Sequence, residues 1–260
     1  MTDHVVFISG GTSGINLGIA KGFAAKGAKV MVFGRDPAKA EAAAAEIRSE
    51  SGATVMAGSG DVRDPEAMAE LFRRAVAELG APTVVIAGAA GNFMAPAVGI
   101  SPNGFKTVID IDLLGTYNVF KAGFDVMTRP GSLIAVTAPQ AELATPQQVH
   151  VCAAKAGVNM VVKVLAMEWG QAGIRVNAIS PGPIEGTEGV ERMAPTQEAK
   201  QAWSDHTALR RFGSVQDIAN AAIFLSSPEG AYITGTVLDV DGGMKLGNAS
   251  GDWITPPKRD

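Results

Sequence analysis

The residue types with the clearest chemical use are the glycines of the segment Ser9–Gly18, which has the sequence SGGTSGINLG. The segment follows a short apolar run that predicts a strand and precedes an Ala-rich stretch that predicts a helix. Gly10 and Gly14 permit a tight turn with backbone N–H groups directed outward, and the helix N-terminus adds partial positive charge. Such a turn suits the pyrophosphate of a dinucleotide, although a merely structural strand-to-helix turn is the alternative. Its place after the first strand of an alternating series favours dinucleotide binding.

The end of the second predicted strand indicates which dinucleotide is bound. Its sequence is Phe33-Gly34-Arg35-Asp36. An acid at this place binds the ribose 2′-hydroxyl of NAD(H), whereas a nearby Arg accommodates the 2′-phosphate of NADP(H). Arg35 fits a bidentate phosphate contact, and an ordinary surface charge paired with Asp36 is the alternative. We therefore predict NADP(H) in preference to NAD(H).

Short apolar, β-branched runs alternate along the chain with longer Ala-rich amphipathic segments, a pattern typical of βαβ units. The runs predict strands at Val5–Ser9, Lys29–Phe33, Thr54–Ala57, Thr83–Ala87, Ser132–Val136, Arg175–Ile179 and Val237–Val240. The longer segments predict helices at Gly14–Lys26, Pro37–Ser51, Pro65–Leu79, Pro102–Met127, Gln147–Gln171 and Val215–Leu225. The alternation implies right-handed crossovers and a parallel sheet covered on both faces. We therefore predict an α/β fold, with a Rossmann-type, doubly wound, seven-stranded parallel sheet and helices on both faces, in a single domain over residues 1–260.

One long stretch, Pro181–Ser204, follows neither pattern and is rich in Gly, Pro and Glu. A connection of this length inside a compact domain is usually functional or mobile. We therefore expect a mobile substrate loop at about residues 183–205.

The composition limits the classes of function. Hydrophobic residues make up 47% and charged residues 18%, so the chain can build a large core. The net charge of −4 and the pI of about 5.5 argue against nucleic-acid and membrane partners, which bind basic faces. A single cysteine, Cys152, excludes an internal disulfide, and no cluster has metal-ligand spacing. With neither a basic leader nor an apolar stretch of about 18 residues, we expect a cytoplasmic protein without a bound metal.

Several short motifs resemble those of the short-chain dehydrogenase/reductase family, in that family's order. They are Gly10-x-x-x-Gly14, Gly60-Asp61-Val62, Ala89-Ala90-Gly91, Ala154-Lys155-Ala156-Gly157, Arg175-Val176-Asn177, Pro181-Gly182 and Asp239-Val240-Asp241-Gly242-Gly243. The resemblance implies a nicotinamide cofactor, with Asp61 and Val62 beside the adenine and Pro181 to Thr187 on the nicotinamide side. The cofactor-binding residues expected on these grounds are Gly10, Thr12, Ser13, Gly14, Ile15, Asn16, Arg35, Asp61, Val62, Ala89, Lys155, Pro181, Gly182, Ile184 and Thr187.

Asn16 is a departure from the family pattern, because it stands where the third glycine is usual. Asn carries a side chain into a crowded turn but tolerates unusual backbone angles better than most residues. A hydrogen bond to the cofactor and a cap on the turn are both open as its role.

The catalytic residues that the family normally presents are mostly replaced. Members carry Tyr-x-x-x-Lys on one helix face, with a Ser upstream and an Asn on the preceding helix. Here Lys155 is retained, but Val151 occupies the Tyr position, Ala138 the Ser position and Asp112 the Asn position. Ketone reduction needs a proton donor for the nascent alkoxide. Because Val151 cannot donate a proton, a standard carbonyl reductase is not expected.

Two explanations remain: either catalysis has been lost, or hydride is delivered to carbon in a conjugated system, where the carbonyl oxygen needs only hydrogen-bond stabilisation. One branch of the family, the 2,4-dienoyl-CoA reductases and especially the peroxisomal type, resembles this chain. The matching stretches are Ala89-Ala90-Gly91-Asn92-Phe93, Phe105 to Asp112, Gly115-Thr116-Tyr117-Asn118-Val119, Gln148-Val149-His150, Glu168-Trp169-Gly170 and Pro181 to Gly189. The last of these, PGPIEGTEG, is unusually specific, since general family members rarely carry it.

The resemblance implies NADPH-dependent reduction of a 2,4-dienoyl-CoA thioester. Hydride would attack the distal diene carbon, and protonation at the α-carbon would give a 3-enoyl-CoA. Lys155 and Asp112 are the expected catalytic pair, which would hold the ribose and an ordered water. A carboxylate beside an ammonium favours the charged form of both, so Asp112 would keep Lys155 protonated. Bracing of the helix is the alternative role for Asp112. Asp241 is a second acid that could reach the cleft, with turn formation as its alternative.

Three residues are candidates for substrate contacts. Phe93 and Met94 follow the fourth predicted strand and would form a wall for an acyl chain, with plain core packing as the alternative. Arg192 lies in the irregular stretch, where it would grip a CoA phosphate or simply be solvated. His150 could shuttle protons near neutrality, with a neutral structural role as its alternative.

Two other functions stay open from the residues alone. One is a reductase or dehydrogenase of another small substrate, with an unconventional donor such as Asp112 or His150. The other is a non-catalytic NADP-binding or sensor protein. The family resemblance also implies a homo-oligomer, a tetramer or a dimer, formed through the long helices Pro102–Met127 and Gln147–Gln171.

Overall fold

The computed structural model describes residues 3–251 and contains one seven-stranded parallel sheet with the strand order β3-β2-β1-β4-β5-β6-β7. The strands are β1 Val5–Ser9, β2 Lys29–Gly34, β3 Val55–Ser59, β4 Val84–Ala87, β5 Gly131–Val136, β6 Ile174–Pro181 and β7 Val237–Val240. The predicted Rossmann-type sheet is confirmed, and each strand begins and ends within two residues of its predicted bounds.

Helices cover both faces of the sheet, as predicted. In the described part of the chain they are α1 Gly14–Ala25, α2 Pro37–Ser51, α3 Pro65–Leu79, α4 Pro102–Val108, α5 Gly115–Val126, α6 Val149–Trp169, α7 Glu188–Met193, α8 Gln197–His206 and α9 Val215–Ser226. Buried side chains of α1, α2 and α9 form the core on one face, and those of α3, α5 and α6 form the core on the other.

Neighbouring residues of the central strands contribute to different cores, because side chains alternate across a strand. Phe7 of β1 points towards α3, where the Phe72 ring meets it edge-on with 5.2 Å between the ring centroids. Ile8, the next residue, is buried in the opposite core together with Phe23 of α1. A strand buried on both faces appears in the sequence as a continuous apolar run.

Polar residues fix where several helices begin. Asp36 and Asp64 each precede a proline, and each accepts hydrogen bonds from two backbone N–H groups of the first turn, in α2 and α3 respectively. At α9, Ser214 and Asp217 form a reciprocal capping box. Hydrogen bonds from the Arg211 side chain and from the Ser214 N–H lower the pKa of Asp217 to about 2.

Glycines let α1 pack closely against α9. A Cβ on residue 18 would collide with the Val215 Cβ and would lie 2.9 Å from its Cγ2. One turn further, a Cβ on Gly22 would lie 2.8 Å from the Ala219 Cβ. This contact fixes α1, and therefore the turn that precedes it, against the sheet.

The predicted helix Pro102–Met127 is not continuous. It divides into α4 and α5, with a π-helical segment, Ile109–Leu114, between them. The Thr116 hydroxyl donates to the Asp112 carbonyl oxygen at 2.6 Å, so a side chain competes for the backbone acceptor there. A π segment inside a helix frequently marks a functional site, and this one carries Asp112.

Two other boundaries differ from the prediction. The helix expected from Gln147 begins at Val149, because Gln147 has a φ of +67°, which a right-handed helix cannot include. The stretch Pro181–Ser204 is not irregular throughout, since β6 extends to Pro181 and α7 and α8 follow. The two helices are only a few turns long, so the Gly and Pro around them obscured their periodicity. The mobility expected for residues 183–205 stays a prediction.

One helical stretch in the described chain, Val149–Ala172, is long and apolar enough to cross a membrane by those two criteria. Half of it is buried inside the protein. A buried helix in the core of an α/β protein is equally long and apolar, because most of its surface is covered by the protein.

Candidate functional site

The Gly-rich turn between β1 and α1 is open where a phosphate would lie. Gly10 has a φ of +67°, and a Cβ there would lie 2.9 Å from the Ala89 amide nitrogen. Gly14 has a φ of +55°, and nothing lies within 4 Å of a Cβ added there. Ser13 precedes α1 without capping it through its side chain. The first N–H groups of α1 therefore keep the free donors and partial positive charge that bind an anion.

Asn16 connects this turn to the end of β4. Its Nδ2 donates a hydrogen bond to the Gly88 carbonyl oxygen at 2.8 Å, and a Cβ on residue 88 would collide with the Asn16 amide. Its buried Oδ1 has no hydrogen-bond partner within residues 3–251. Asn16 thus braces two loops against each other instead of capping its own turn, and its Oδ1 is available as an acceptor.

A cleft of about 420 Å³ opens at the carboxyl ends of β1 and β4. The strand order changes direction between these two strands, which is where open α/β sheets bind ligands. Gly14 and Ile15 begin α1, and the Ile15 side chain packs against the core. Eight of the predicted cofactor residues line the cleft: Gly10, Thr12, Ser13, Asn16, Arg35, Asp61, Val62 and Ala89.

Two cations line the cleft beside β2. Arg35 and Lys39 both contribute to its wall, while the Asp36 carboxylate accepts hydrogen bonds from the backbone N–H groups of Ala38 and Lys39. Asp36 therefore serves as a helix cap, and no ion pair between it and Arg35 occurs in the described chain. Lys39 was not predicted from the sequence. Its place in the first turn of α2, four residues after Arg35, is the signal that could have identified it.

Asp61, another lining residue, is paired with Arg63. Its Oδ2 lies 2.5 Å from the Arg63 Nη2. Hydrogen bonds from the Arg63 side chain, with a smaller contribution from the charge of Arg35, lower the pKa of Asp61. The carboxylate is therefore ionised at neutral pH and can accept hydrogen bonds inside the cleft.

Lys155 and Asp112 form a buried ion pair beside the cleft. The Lys155 Nζ lies 3.2 Å from the Asp112 Oδ2 and donates to the Val136 carbonyl oxygen, also at 3.2 Å. The backbone N–H of Gly91, which lines the cleft, donates to the Asp112 Oδ1 at 2.6 Å. Only 6% of Lys155 and 1% of Asp112 is exposed. A buried ion pair of this kind is weak evidence for stability, and the catalytic role expected for the two residues stays a prediction.

The position that a tyrosine would occupy holds no proton donor. Val151 is buried in a small apolar cluster with Val108 and Ala154. Both tyrosines of the chain, Tyr117 on α5 and Tyr232 ahead of β7, are exposed to solvent.

The three predicted substrate residues meet at the loop after β4. Phe93 and Met94 stay partly exposed there, at 37% and 50%. The Phe93 ring packs on the His150 ring with 4.2 Å between centroids. Arg192 of α7 donates through Nη1 to the Asn92 carbonyl oxygen at 3.4 Å. His150 itself is fully buried, and neither ring nitrogen has a hydrogen-bond partner in the described residues.

The residues after β6 lie outside this cleft. Pro181 ends β6, and a Cβ on Gly182 would lie 2.6 Å from the Asp241 Cα. The Ile184 side chain is buried in the core, and the Thr187 hydroxyl donates to the Ile184 carbonyl oxygen at 2.7 Å. Asp241 accepts two backbone N–H groups of its own turn. Contact between these residues and the nicotinamide stays a prediction.

This fold and site define an oxidoreductase, and the chain belongs to the short-chain dehydrogenase/reductase family. Residues 10–245 match the family model described as "Enoyl-(Acyl carrier protein) reductase". A protein of Saccharomyces cerevisiae named "Peroxisomal 2,4-dienoyl-CoA reductase SPS19", (3E)-enoyl-CoA-producing, is 39% identical over 257 residues, which cover 97% of this chain and 88% of the relative. A Bacillus subtilis protein named "Probable 2,4-dienoyl-CoA reductase", (2E)-enoyl-CoA-producing, is 38% identical over 260 residues, which cover 98% and 99%.

Solved structures agree with this assignment. A short-chain type dehydrogenase/reductase from Mycobacterium ulcerans superposes with a TM-score of 0.89 at 29% identity, over 95% of this chain and 91% of the other. A gluconate 5-dehydrogenase from Burkholderia cenocepacia, solved in complex with NADP and tartrate, superposes with a TM-score of 0.88 at 27% identity, over 95% and 96%.

Proposed function

We propose that this protein is an NADPH-dependent reductase that reduces a conjugated 2,4-dienoyl-CoA thioester at carbon. The observation that carries the proposal is the buried Lys155–Asp112 pair beside a dinucleotide-shaped cleft, with Val151 where a phenol would be needed for ketone reduction. Relatives that match nearly the whole chain carry the name of this activity.

The residues of the cleft fit a dinucleotide. The uncapped N-terminus of α1 would hold the pyrophosphate, and the positive φ values of Gly10 and Gly14 leave the backbone room to approach it. NADPH, when bound, supplies the hydride. The remaining catalytic work, which is to hold the substrate, stabilise charge and deliver a proton, falls to the side chains around it.

The preference for NADPH over NADH rests on Arg35 and Lys39. Both line one end of the cleft, and neither is neutralised by Asp36, which caps α2. Two neighbouring cations favour a 2′-phosphate, and an Arg can contact it through two N–H groups. The NADP complex of the gluconate 5-dehydrogenase neighbour is in keeping with this choice.

Lys155 and Asp112 would hold the ribose and an ordered water. Addition of hydride to the distal diene carbon shifts the diene electrons towards the thioester and leaves negative charge on its oxygen. The Lys155 ammonium, fixed by the Val136 carbonyl and by Asp112, stabilises that charge. A water held at this pair then gives a proton to the α-carbon, which restores the thioester carbonyl and leaves a double bond between carbons 3 and 4. The hydroxide that remains takes a proton from solvent.

Phe93, Met94 and Arg192 would bind the two ends of the substrate. Phe93 and Met94 offer a partly exposed apolar wall to the acyl chain. Arg192 of α7 contacts the same loop through its hydrogen bond to Asn92. Its half-exposed guanidinium, which also pairs with Glu188, would meet a CoA phosphate.

A substrate panel tests this function. Oxidation of NADPH by the purified protein is followed with 2,4-hexadienoyl-CoA, with 2-hexenoyl-CoA and with simple ketones. Turnover of the dienoyl thioester alone is expected. Turnover of ketones would instead indicate a carbonyl reductase with an atypical donor, and tight NADPH binding without any turnover would indicate a sensor protein.

The assembly and location that fit this enzyme are a homo-oligomer, a tetramer or a dimer, in the cytoplasm. Apolar side chains are exposed on the adjoining helices α5 and α6, including Tyr117, Met160, Val164 and Met167. Large exposed apolar side chains of this kind are what a partner subunit would cover.

A further inference from the structure

Three side-chain amides form a hydrogen-bonded row: two lie close together in the chain, between β5 and α6, and the third lies in the loop after β4. The Gln140 Nε2 donates to the Gln148 Oε1 at 2.9 Å. The Gln148 Nε2 donates in turn to the Asn92 Oδ1 at 3.4 Å. Gln148, in the middle, is 1% exposed. A buried glutamine whose amide bonds on both sides is a rigid element, because any rotation would leave a polar group unsatisfied.

The row lies beside the Lys155–Asp112 pair. Asn92 directly follows Gly91, whose N–H donates to Asp112. Gln148 directly precedes α6, the helix that carries Lys155. The short turn that carries Gln140 follows β5 directly, and β5 ends at Val136, the acceptor of the Lys155 ammonium. The three segments that position the ion pair therefore also position the amides.

The backbone beside Gln148 is held in an uncommon conformation. Gln147 has a φ of +67°, and its carbonyl oxygen accepts the Ala95 N–H at 3.0 Å. A glutamine in the left-handed region is uncommon, and such residues persist where surrounding contacts determine them. This turn ties the loop after β4 to the start of α6, so it fixes Asn92 relative to Gln148.

The direction of donation leaves one donor unused. The two glutamines donate in the direction of Asn92, so Gln140 begins the row. The second Nε2–H of Gln140 has no partner among residues 3–251. Gln140 is only half-buried, whereas Ala138 and Val151, at the positions that carry hydroxyls in the family, offer no donor.

We propose that Gln140 donates its free amide N–H to the thioester carbonyl oxygen of the acyl substrate, and that Gln148 is a positioning residue that aims it. This inference rests on the function proposed above. An amide N–H stabilises negative charge on oxygen but does not give up its proton near neutral pH. It therefore suits a reaction in which oxygen carries charge transiently and the proton goes to carbon. It also disfavours ketone reduction, in which oxygen must be protonated.

Substitution of Gln140 tests the donor. Gln140→Leu is expected to lower kcat for 2,4-hexadienoyl-CoA by roughly a hundredfold, the loss typical of removing one oxyanion donor, with the Kd for NADPH unchanged. Gln171→Leu, an exposed glutamine beyond the end of α6, is the matched control and should behave as the unmodified enzyme. Gln140→Glu is expected to be nearly inactive at pH 8 and to regain activity as the pH falls and the carboxyl group acquires an O–H donor.

Substitution of Gln148 tests the positioning role. Gln148→Leu should lower kcat with little change in KM, and Gln148→Glu should recover part of that loss, since its carboxylate still accepts the Gln140 N–H. Thr137→Val serves as a comparison. Thr137 directly follows β5, and its buried hydroxyl has no hydrogen-bond partner in residues 3–251.

The outcomes separate this inference from the proposed function. If the unmodified enzyme reduces the dienoyl thioester and Gln140→Leu stays within about twofold of it, or if Thr137→Val alone abolishes turnover, Gln140 is not the donor and the inference is wrong. If the unmodified enzyme does not reduce the dienoyl thioester, the proposed function is wrong and the inference falls with it.

Discussion

At the scale of single residues, the site depends on charges that are costly to bury. Lys155 and Asp112 are almost completely removed from solvent and are separated by 3.2 Å. A buried pair of this kind adds little stability when intact, but the loss of one partner leaves the other uncompensated. Stability and activity should therefore respond differently to single and double substitutions.

Replacement of Lys155 separates these two contributions. Lys155→Met is expected to abolish dienoyl-CoA reduction and to lower the free energy of unfolding by about 3 kcal/mol, because the Asp112 carboxylate loses its cation. Adding Asp112→Asn removes that buried charge, so the double variant should regain much of the stability and none of the activity. Urea denaturation and NADPH oxidation measure the two effects, and a double variant that is active would exclude the pair from catalysis.

Arg35 and Lys39 give a prediction about cofactor choice. A charge-assisted hydrogen bond contributes about 1.5–3 kcal/mol, so Arg35→Ala should reduce the ratio of kcat/KM for NADPH to that for NADH by roughly tenfold, and Arg35→Ala/Lys39→Ala should reduce it further. The exposed Lys26, beyond the end of α1, provides the control variant Lys26→Ala. An unaltered ratio in the double variant would refute the phosphate assignment.

At the scale of elements, the position of the phosphate-binding turn depends on the packing of α1, the helix that follows it. α1 packs so closely on α9 that no side chain would fit at Gly18 or Gly22. Such close packing fixes the position of α1 relative to the sheet. It therefore also fixes the backbone N–H groups at the start of α1.

Gly18→Ala tests this packing. The added methyl group meets Val215 of α9, and overpacking of this kind typically costs about 1–3 kcal/mol. Val215→Ala should relieve part of the loss in the double variant. Gly170→Ala is the control, since nothing lies within 4 Å of a Cβ at that helical position. Thermal denaturation with and without NADPH provides the measurement, and a Gly18→Ala protein as stable as the control would refute the close approach.

At the scale of the whole molecule, most of the sheet could be predicted because buried parallel strands are continuous apolar runs and the caps at Asp36 and Asp64 are local signals. The π segment at Ile109–Leu114 could not, because no Pro or paired small residue marks it in the sequence. The contacts that Asp112 makes from this segment, with Gly91 and Lys155, join residues that are distant in the chain.

The site shows the same division. The glycine turn and Arg35 could be predicted because they follow the first and second predicted strands. The Lys155–Asp112 pair could be predicted because both residues lie in stretches that carry the family resemblance. The bracing role of Asn16 and the amide row could not. The Asn16–Gly88 and Gln148–Asn92 hydrogen bonds join residues 72 and 56 positions apart, which meet only in the folded protein.

The position of the double bond in the product tests the central claim most directly. Purified enzyme is incubated with NADPH and 2,4-hexadienoyl-CoA, and the product is identified by NMR. We predict 3-hexenoyl-CoA, because Lys155 and the ordered water direct the proton to the α-carbon while no phenol can protonate oxygen. Formation of 2-hexenoyl-CoA would contradict protonation at the α-carbon, and failure to consume the dienoyl thioester would contradict the proposed reaction as a whole.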